Sequence, residues 1–185
     1  MQPIKTLSPE RLSGVRYILH DIDDTITNGG KLLPESYTAL WKLSRAGFQV
    51  IPVTGRPAGW CDLILREWPA AAVVGENGAF VDYWEGEERK RFFHPSVPRE
   101  RLDEKLREIR DACLKEVPGC RVSKDQPYRV CDLAIDFNED VHLGMEAALK
   151  IKAVCERFGA VAKVSSIHVN TWFGDYSKVE MAELF

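Results

Sequence analysis

Two carboxylates, Asp21 and Asp23, follow a short and mostly apolar run, VRYILH at residues 15–20. If that run is a strand continuing through Asp23, both side chains point to the same side, because side chains alternate along a strand. Carboxylates this close repel each other unless a cation or a shared proton separates them. Their oxygen atoms suit Mg²⁺, and one Asp would then serve as a nucleophile and the other as a general acid and base.

Another interpretation of this stretch needs no catalysis. Asp and Thr are common in turns at the ends of strands, so a capped turn also explains a bare D-x-D pattern. A calcium-binding loop that starts at Asp21 is excluded, because Ile26 takes its glycine position and Leu32 its closing glutamate position.

A second stretch that could do chemistry is VTGRP, residues 53–57. Thr54 ends an apolar run with a hydroxyl group, and Gly55 lets the backbone approach a ligand closely. Pro57 suits the first turn of a following helix, whose free N–H groups favour an anion such as phosphate. The stretch therefore predicts a phosphate-binding loop, with a plain strand-to-helix turn as the alternative.

A third signal lies near the end of the chain. Ser177 and Glu180 form a capping box, which places Lys178 at the first position of a helix. A cation there opposes the helix dipole, at a cost of ~0.3–1 kcal/mol. A nearby anion, such as a phosphate held against Asp21, would offset that cost, and a solvated surface lysine is the alternative.

These residues require a scaffold that brings the ends of strands together. Apolar runs at 15–20, 48–53 and 71–74 alternate with two helical patterns, at 34–47 with Gly47 as its stop and at 57–68. The second helix is predicted to bury the stripe Trp60, Leu63, Ile64 and Trp68. This alternation predicts an α/β fold with a parallel sheet and helices on its faces. Ligands bind at the carboxyl ends of such strands, so Asp21, Thr54 and Gly75 are expected to be neighbours.

The pattern changes beyond residue 82. DYWEGEERKRFF, residues 82–93, is predicted to be a connecting hairpin, and two helix-strand-strand units follow it. Such units would place two helices on one face of an antiparallel sheet. We therefore predict three segments: a Rossmann-like core at 1–83, an inserted α+β module at 84–173 and a return to the core at 174–185.

Composition limits the class of protein. The 185 residues carry a net charge of −3, with 45% hydrophobic and 29% charged residues, which indicates a globular chain and argues against a nucleic-acid partner. The five cysteines form no C-x-x-C pair, so we interpret them as buried apolar residues in a reducing compartment. We find no signal peptide and no membrane span in the sequence, and we expect a cytoplasmic protein.

Taken together, DIDDT (21–25), VTGRP (53–57), VVGENGAF (73–80) and the capped Lys178 resemble the haloacid dehalogenase superfamily. The order of elements is similar to that of its phosphatases with a C2-type cap (αββαββ), such as the sucrose-phosphate, trehalose-phosphate, mannosyl-phosphoglycerate and Cof-type phosphatases. The resemblance implies a Mg²⁺-dependent phosphatase that acts on a phosphorylated small molecule, a sugar or polyol phosphate. It also implies a flap hairpin at 25–30, with Asn28–Gly29 as its turn.

The resemblance implies a role for each residue named above. Asp21 would attack phosphorus and become an aspartyl-phosphate, and Asp23 would protonate the leaving alcohol and then activate water. The Asp21 carboxylate and the Asp23 backbone carbonyl would hold Mg²⁺. Thr54 and the Gly55 N–H would bind phosphate oxygens, and Lys178 would neutralise the nucleophile and the phosphate.

One motif of these phosphatases is missing. They carry a G-D-x-x-N-D type segment after the lysine, whereas this chain ends seven residues after Lys178. We therefore expect a core sheet that is incomplete at its C-terminal end, with an exposed edge that favours self-association. An inactive or truncated binding module and a sugar phosphomutase are the alternatives. A signalling receiver domain is disfavoured, because Gly75 and Glu76 stand where its phosphorylated aspartate belongs.

Four further polar residues are candidates for contact with the substrate. Glu76 and Asn77 follow the third strand and could face the substrate, although Asn77-Gly78 is also an ordinary turn signal. His168 and Asn170 alternate on one face of the last strand of the inserted module. They would reach sugar hydroxyls or a second anion, or else be ordinary polar residues on the open face of a sheet.

Overall fold

The structure is a computed structural model that describes residues 6–98 and 100–185. Its helices are α1 (Pro9–Ser13), α2 (Pro34–Arg45), α3 (Ala58–Glu67), α4 (Leu102–Glu116), α5 (Gly144–Arg157) and α6 (Lys178–Leu184). Its first seven strands are β1 (Tyr17–His20), β2 (Thr27–Asn28), β3 (Lys31–Leu32), β4 (Gln49–Pro52), β5 (Ala72–Gly75), β6 (Phe80–Glu85) and β7 (Glu88–Phe93). Four more follow: β8 (Arg121–Val122), β9 (Asp132–Asp136), β10 (Val161–Val164) and β11 (His168–Trp172).

A parallel arrangement of β1, β4 and β5 carries the residues predicted to do chemistry. β1 pairs with β4 in parallel, and a parallel bridge between Val53 and Val74 joins β4 to β5. The Val53 N–H donates to the His20 carbonyl at 2.8 Å, and the Thr54 N–H donates to the Val74 carbonyl at 2.9 Å. The carboxyl ends of the three strands therefore lie side by side, and the predicted α/β fold is confirmed.

Helix α3 packs on this sheet with a face different from the predicted one. Trp60 and Leu63 are 45% and 46% exposed, whereas Ile64 is buried as predicted. The buried positions of α3 are Ala58, Cys61, Ile64 and Leu65. Both sets have helical spacing, so periodicity alone does not choose between them. Packing in one apolar cluster with Val73 and Phe80 selects the observed face.

The hairpin of β6 and β7 extends the core sheet. β6 pairs antiparallel with both β5 and β7. Asp82 is fully buried, and its carboxylate accepts hydrogen bonds at 2.6 and 2.7 Å from Arg91 on the neighbouring strand, which offsets the cost of burying its charge. The predicted boundary at residue 84 falls inside β6. We propose that the core continues through β7.

The flap hairpin turns one residue later than predicted. Asn28 pairs with Lys31 in the β2–β3 ladder, so the turn consists of Gly29 and Gly30. Their φ angles are 54° and 74°, and a two-residue turn of this kind requires positive φ at both central positions. The predicted Asn28–Gly29 turn was wrong. Asn-Gly and Gly-Gly can both adopt positive φ, so the sequence does not decide between Asn28–Gly29 and Gly29–Gly30.

The inserted module, called the cap here and defined as α4 to β11, contains the two predicted helix-strand-strand units. Its sheet has the order β10-β11-β9-β8, and every neighbouring pair is antiparallel. Ile109 of α4 and Ile151 of α5 are fully buried in a cluster with Ile135 and Val169 of the sheet. Both helices therefore pack on one sheet face. The predicted segment limits at 84–173 and 174–185 stay a proposal.

Strand β1 forms one side of the core sheet. Tyr17 and Leu19 are 61% and 46% exposed, which is high for apolar residues of a strand. Within the described residues, β1 pairs with β4 along one edge, and the other edge of β1 has no strand partner. An exposed edge of this kind can accept another strand. Self-association through it stays a prediction.

The five cysteines are buried and their thiols are free. Burial raises the pKa of the Cys61 thiol well above its ordinary value, which makes it unreactive. They are therefore packing residues, as predicted. Among the described helices, none combines the length and apolar composition that a membrane crossing requires.

Candidate active site

Asp21 and Lys178, which are 157 positions apart in the chain, form a direct ion pair. The Lys178 Nζ lies 2.5 Å from Asp21 Oδ2, and Asp21 Oδ1 accepts a hydrogen bond of 2.7 Å from the Ile22 N–H. The Asp21 side chain is 42% exposed and that of Lys178 is 31% exposed. The Asp21 carboxylate is therefore oriented from two sides yet open to a ligand.

The position of Lys178 follows from two features of α6. Ser177 caps the helix, and its Oγ accepts from the Glu180 N–H at 3.2 Å, as the capping box predicts. Met181 is fully buried in a cluster with Val74 and Val81 of the core sheet. These contacts fix the first turn of α6 beside the end of β1.

Asp23 is held by a different cation. Arg56 Nη2 lies 2.6 Å from Asp23 Oδ1, and Arg56 Nε donates to Asp23 Oδ2 at 3.2 Å. The guanidinium also lies over the Trp60 ring, 4.2 Å from its centroid. A planar guanidinium fixes a carboxylate at both oxygens, so the orientation of Asp23 is set by Arg56.

The 54–58 loop, which runs from Thr54 to the first residue of α3, contains Thr54 and Gly55 of the predicted phosphate-binding stretch 53–57. Thr54 is fully buried, and its Oγ1 accepts from the Arg56 N–H at 3.1 Å. A Cβ added to Gly55 would lie 2.9 Å from Asn77 Oδ1, so a side chain at residue 55 would collide with that amide. The loop is thus closely packed at the same sheet edge as Asp21.

Asn77, His168 and Asn170 make separate contacts in the structure. Asn77 Nδ2 lies 3.4 Å from Asp132 of the cap, so its amide contacts both the 54–58 loop and the cap. His168 is nearly buried, and its Nε2 lies 2.8 Å from Glu139 within the cap. Asn170 lies on the same strand, opposite Ala134. Contact of these three with a substrate stays a prediction.

The donors suggested for Mg²⁺ are the Asp21 carboxylate and the Asp23 backbone carbonyl. Both are hard oxygen atoms of the kind that Mg²⁺ prefers. Because the Asp23 carboxylate is engaged by Arg56, its carbonyl is the more suitable donor of that residue.

A separate acidic cluster lies in the cap. One oxygen each from Asp136, Glu139 and Asp140 lies within 4.8 Å of the others. Asp136 already accepts three backbone N–H bonds of 2.8–3.0 Å, and Lys124 and His168 pair with Asp140 and Glu139. These contacts already occupy oxygens of all three carboxylates, so we assign no metal to the cluster.

No role was predicted from the sequence for Arg56 or Arg129, and Glu76 was predicted only as a residue that could face the substrate. Arg56 lies inside the VTGRP stretch, and its place directly after Gly55 was a usable signal. Glu76 is an acid that directly follows an apolar strand, the same signal that identified Asp21. No local pattern marks Arg129, whose Nη1 donates to the Gly55 carbonyl at 3.2 Å.

The chain belongs to the haloacid dehalogenase-like hydrolase family. The model of that family matches residues 18–114, which is just over half of the chain and includes Asp21, Asp23 and the 54–58 loop. The resemblance inferred from the motifs is therefore confirmed. No curated protein sequence matches the chain.

Solved structures share the fold at low sequence identity. A Thermoplasma acidophilum protein has a TM-score of 0.70 at 17% identity, over 92% of this chain and 69% of its own. The C-terminal domain of C. albicans trehalose-6-phosphate phosphatase has a TM-score of 0.68 at 17% identity, over 91% and 60%. The sucrose-phosphatase of Synechocystis sp. PCC6803 has a TM-score of 0.57 at 13% identity, over 91% and 68%. The chain thus spans about two thirds of the length of these structures.

Proposed function

We propose that the protein is a Mg²⁺-dependent phosphatase that hydrolyses a phosphorylated small molecule, a sugar or polyol phosphate, through an aspartyl-phosphate on Asp21. The ion pair between Asp21 and Lys178 carries this proposal, because it unites two of the motifs at the end of β1. Membership of the hydrolase family supports it. The fold shared with structures of a trehalose-6-phosphate phosphatase and a sucrose-phosphatase supports the substrate class.

Each residue has a defined task in this mechanism. The Asp21 carboxylate attacks phosphorus, and Lys178 stabilises the negative charge that the attacking and transferred groups share. One Asp23 oxygen leaves the Arg56 guanidinium and takes up a proton, while the other stays bound to it. Asp23 then donates this proton to the leaving alcohol and later takes one from the attacking water. The 54–58 loop supplies the Thr54 hydroxyl and the Gly55 N–H to the phosphate oxygens.

The donors at Asp21 and Asp23 fit Mg²⁺, which when bound would neutralise charge on the phosphate and on Asp21. The chain's own residues prepare for this. Lys178 and the Ile22 N–H hold the Asp21 carboxylate in place, and Arg56 binds the Asp23 carboxylate.

A phosphate-release assay tests the proposed function. The purified chain is incubated with a panel of sugar, polyol and other phosphate esters, in Mg²⁺ or in EDTA. We expect inorganic phosphate from at least one sugar or polyol phosphate, lost in EDTA and restored by added Mg²⁺. An isomerised sugar phosphate without free phosphate would indicate a phosphomutase instead. No turnover, with no Mg²⁺ binding by calorimetry, would indicate an inactive binding module.

Arg56→Gln is expected to lower kcat by about tenfold, because Asp23 loses the fork that orients it and small misplacements of a catalytic group are costly. Stability should fall by about 1–2 kcal/mol, because the exposed pair with Asp23 contributes little but the Arg56 side chain, which is 18% exposed, also loses its contact with the Trp60 ring. Steady-state kinetics and thermal melting check both. Arg66→Gln is the matched control, since Arg66 pairs with Asp62 on the same helix. Equal kcat in the two variants would contradict the role of Arg56.

The cytoplasmic location stays a prediction that rests on the cysteines. Their burial with free thiols is compatible with a reducing compartment. Fractionation of cells that make the protein would test it.

A further inference from the structure

A fully buried carboxylate joins the cap to the core. Glu76 directly follows β5 and has no exposed surface. Its Oε2 accepts hydrogen bonds from the Cys131 N–H at 2.6 Å and the Asp132 N–H at 3.2 Å, and its Oε1 accepts from the Val130 N–H at 2.9 Å. A core side chain thus binds three consecutive backbone N–H groups where cap strand β9 begins.

Glu76 also forms hydrogen bonds with the backbone of the 54–58 loop. Glu76 Oε1 accepts from the Ala58 N–H at 2.9 Å, and the Glu76 N–H donates to the Arg56 carbonyl at 3.1 Å. The next N–H, that of Asn77, donates to the Thr54 carbonyl at 3.1 Å. Glu76 and Asn77 therefore fix the loop at its beginning, its middle and its end.

A cap residue completes the connection from the other side. The Arg129 side chain is only 3% exposed, and its Nη1 donates to the Gly55 carbonyl at 3.2 Å and to Asp132 Oδ1 at 2.9 Å. Its Nη2 donates to Asp125 at 2.9 Å. The guanidinium therefore balances the Asp132 charge beside Glu76 and contacts the loop directly.

The backbone at Glu76 is itself unusual. Glu76 and Asn77 have φ angles of 44° and 60°, in the left-handed region that non-glycine residues seldom adopt. Such a conformation persists where surrounding contacts fix it. Here it directs the Glu76 side chain toward the cap while the backbone N–H groups face the loop.

We propose that Glu76 is a positioning residue that couples docking of the cap to the geometry of the 54–58 loop. Arg129 is its partner on the cap. This inference rests on the proposed function, in which that loop binds the phosphate group. When Val130–Asp132 binds to Glu76, Arg129 contacts Gly55 and the loop takes its phosphate-binding form. Undocking of the cap releases the loop at Gly55.

Hydrogen exchange of the intact chain measures the coupling without substrate. In Glu76→Gln, the side-chain NH₂ group is a donor that faces backbone N–H donors, so hydrogen bonds are lost. The backbone N–H groups of Ala58 and Val130–Asp132 should therefore exchange at least about tenfold faster. Glu87→Gln is the control, since Glu87 is exposed in the β6–β7 turn.

A second pair of variants keeps the net charge and separates coupling from stability. Arg129→Lys retains the cation but cannot bind Gly55, Asp125 and Asp132 together. Although the substitution is in the cap, it should increase exchange in the 54–58 loop of the core and lower the affinity for inorganic phosphate about tenfold. Arg121→Lys is the control on exposed strand β8 and should change neither quantity.

The outcomes distinguish the two proposals. Faster exchange in the 54–58 loop of Arg129→Lys supports the coupling, even if the wild type binds no phosphate and the proposed function fails. Exchange in that loop equal to wild type in both Glu76→Gln and Arg129→Lys would overturn the coupling, even if the enzyme proves to be a phosphatase.

Discussion

Asp21→Asn is expected to lower phosphatase turnover by at least about 10³-fold, because the variant lacks the carboxylate that attacks phosphorus. The fold should survive. Asn retains an oxygen that can accept the Ile22 N–H bond, and the pair lost with Lys178 is partly exposed. The measurement is the rate of phosphate release from the best ester of the panel, together with the melting temperature.

Asp24→Asn is the matched control for this variant. Asp24 is the next acid but one along the chain and is exposed, and its φ of 56° is a conformation that Asn adopts readily. We expect wild-type turnover from it. Turnover by Asp21→Asn within tenfold of wild type would remove Asp21 from the role of nucleophile.

Gly78→Ala is expected to displace Lys178 and to reduce turnover by about 10²-fold, comparable with the loss of one charge-stabilising group. Gly78 has a φ of 106°, and a Cβ added there would lie 2.2 Å from the Ser177 carbonyl oxygen and 3.0 Å from the Lys178 N. These are backbone atoms, so the first turn of α6 must move away from the end of β1. Kinetics and thermal melting check the result.

Gly86→Ala separates displacement from backbone strain. Gly86 also has a positive φ, 62°, but no atom lies within 4 Å of its added Cβ. This control should lose about 1–2 kcal/mol of stability through strain alone and keep its turnover. If Gly78→Ala kept wild-type kcat, the position of Lys178 would not depend on the contact with Gly78.

The parts of the site that could be predicted are those with a local pattern. Asp21 and Thr54 each follow an apolar run, and the Ser177–Glu180 capping box marks Lys178. Ligands bind at the carboxyl ends of parallel strands, and these ends lie along one edge of the sheet. This rule predicted that Asp21 and Thr54 would be neighbours. The order of elements in the cap could also be predicted from local patterns, because helices and strands differ in the spacing of their apolar residues.

The parts that could not be predicted depend on how distant segments meet. Arg56 is 33 positions from Asp23, and Glu76 is 55 positions from Cys131, and no spacing rule relates such pairs. The buried face of α3 was wrong because two stripes fit a helix equally well and only packing decides between them. The turn of the flap was wrong because Asn-Gly and Gly-Gly both adopt positive φ.

The central claim is that Asp21 carries the phosphoryl group during turnover. The enzyme is mixed with an ester that it hydrolyses, and the reaction is quenched rapidly during turnover. Borohydride then reduces an acyl phosphate to an alcohol, which marks the residue that carried the phosphoryl group. We predict homoserine at residue 21, found by mass spectrometry of the peptide, in the presence of substrate and Mg²⁺ and not in EDTA. Phosphate release at the normal rate with no modified Asp21, or with the mark at another acid, would contradict the account.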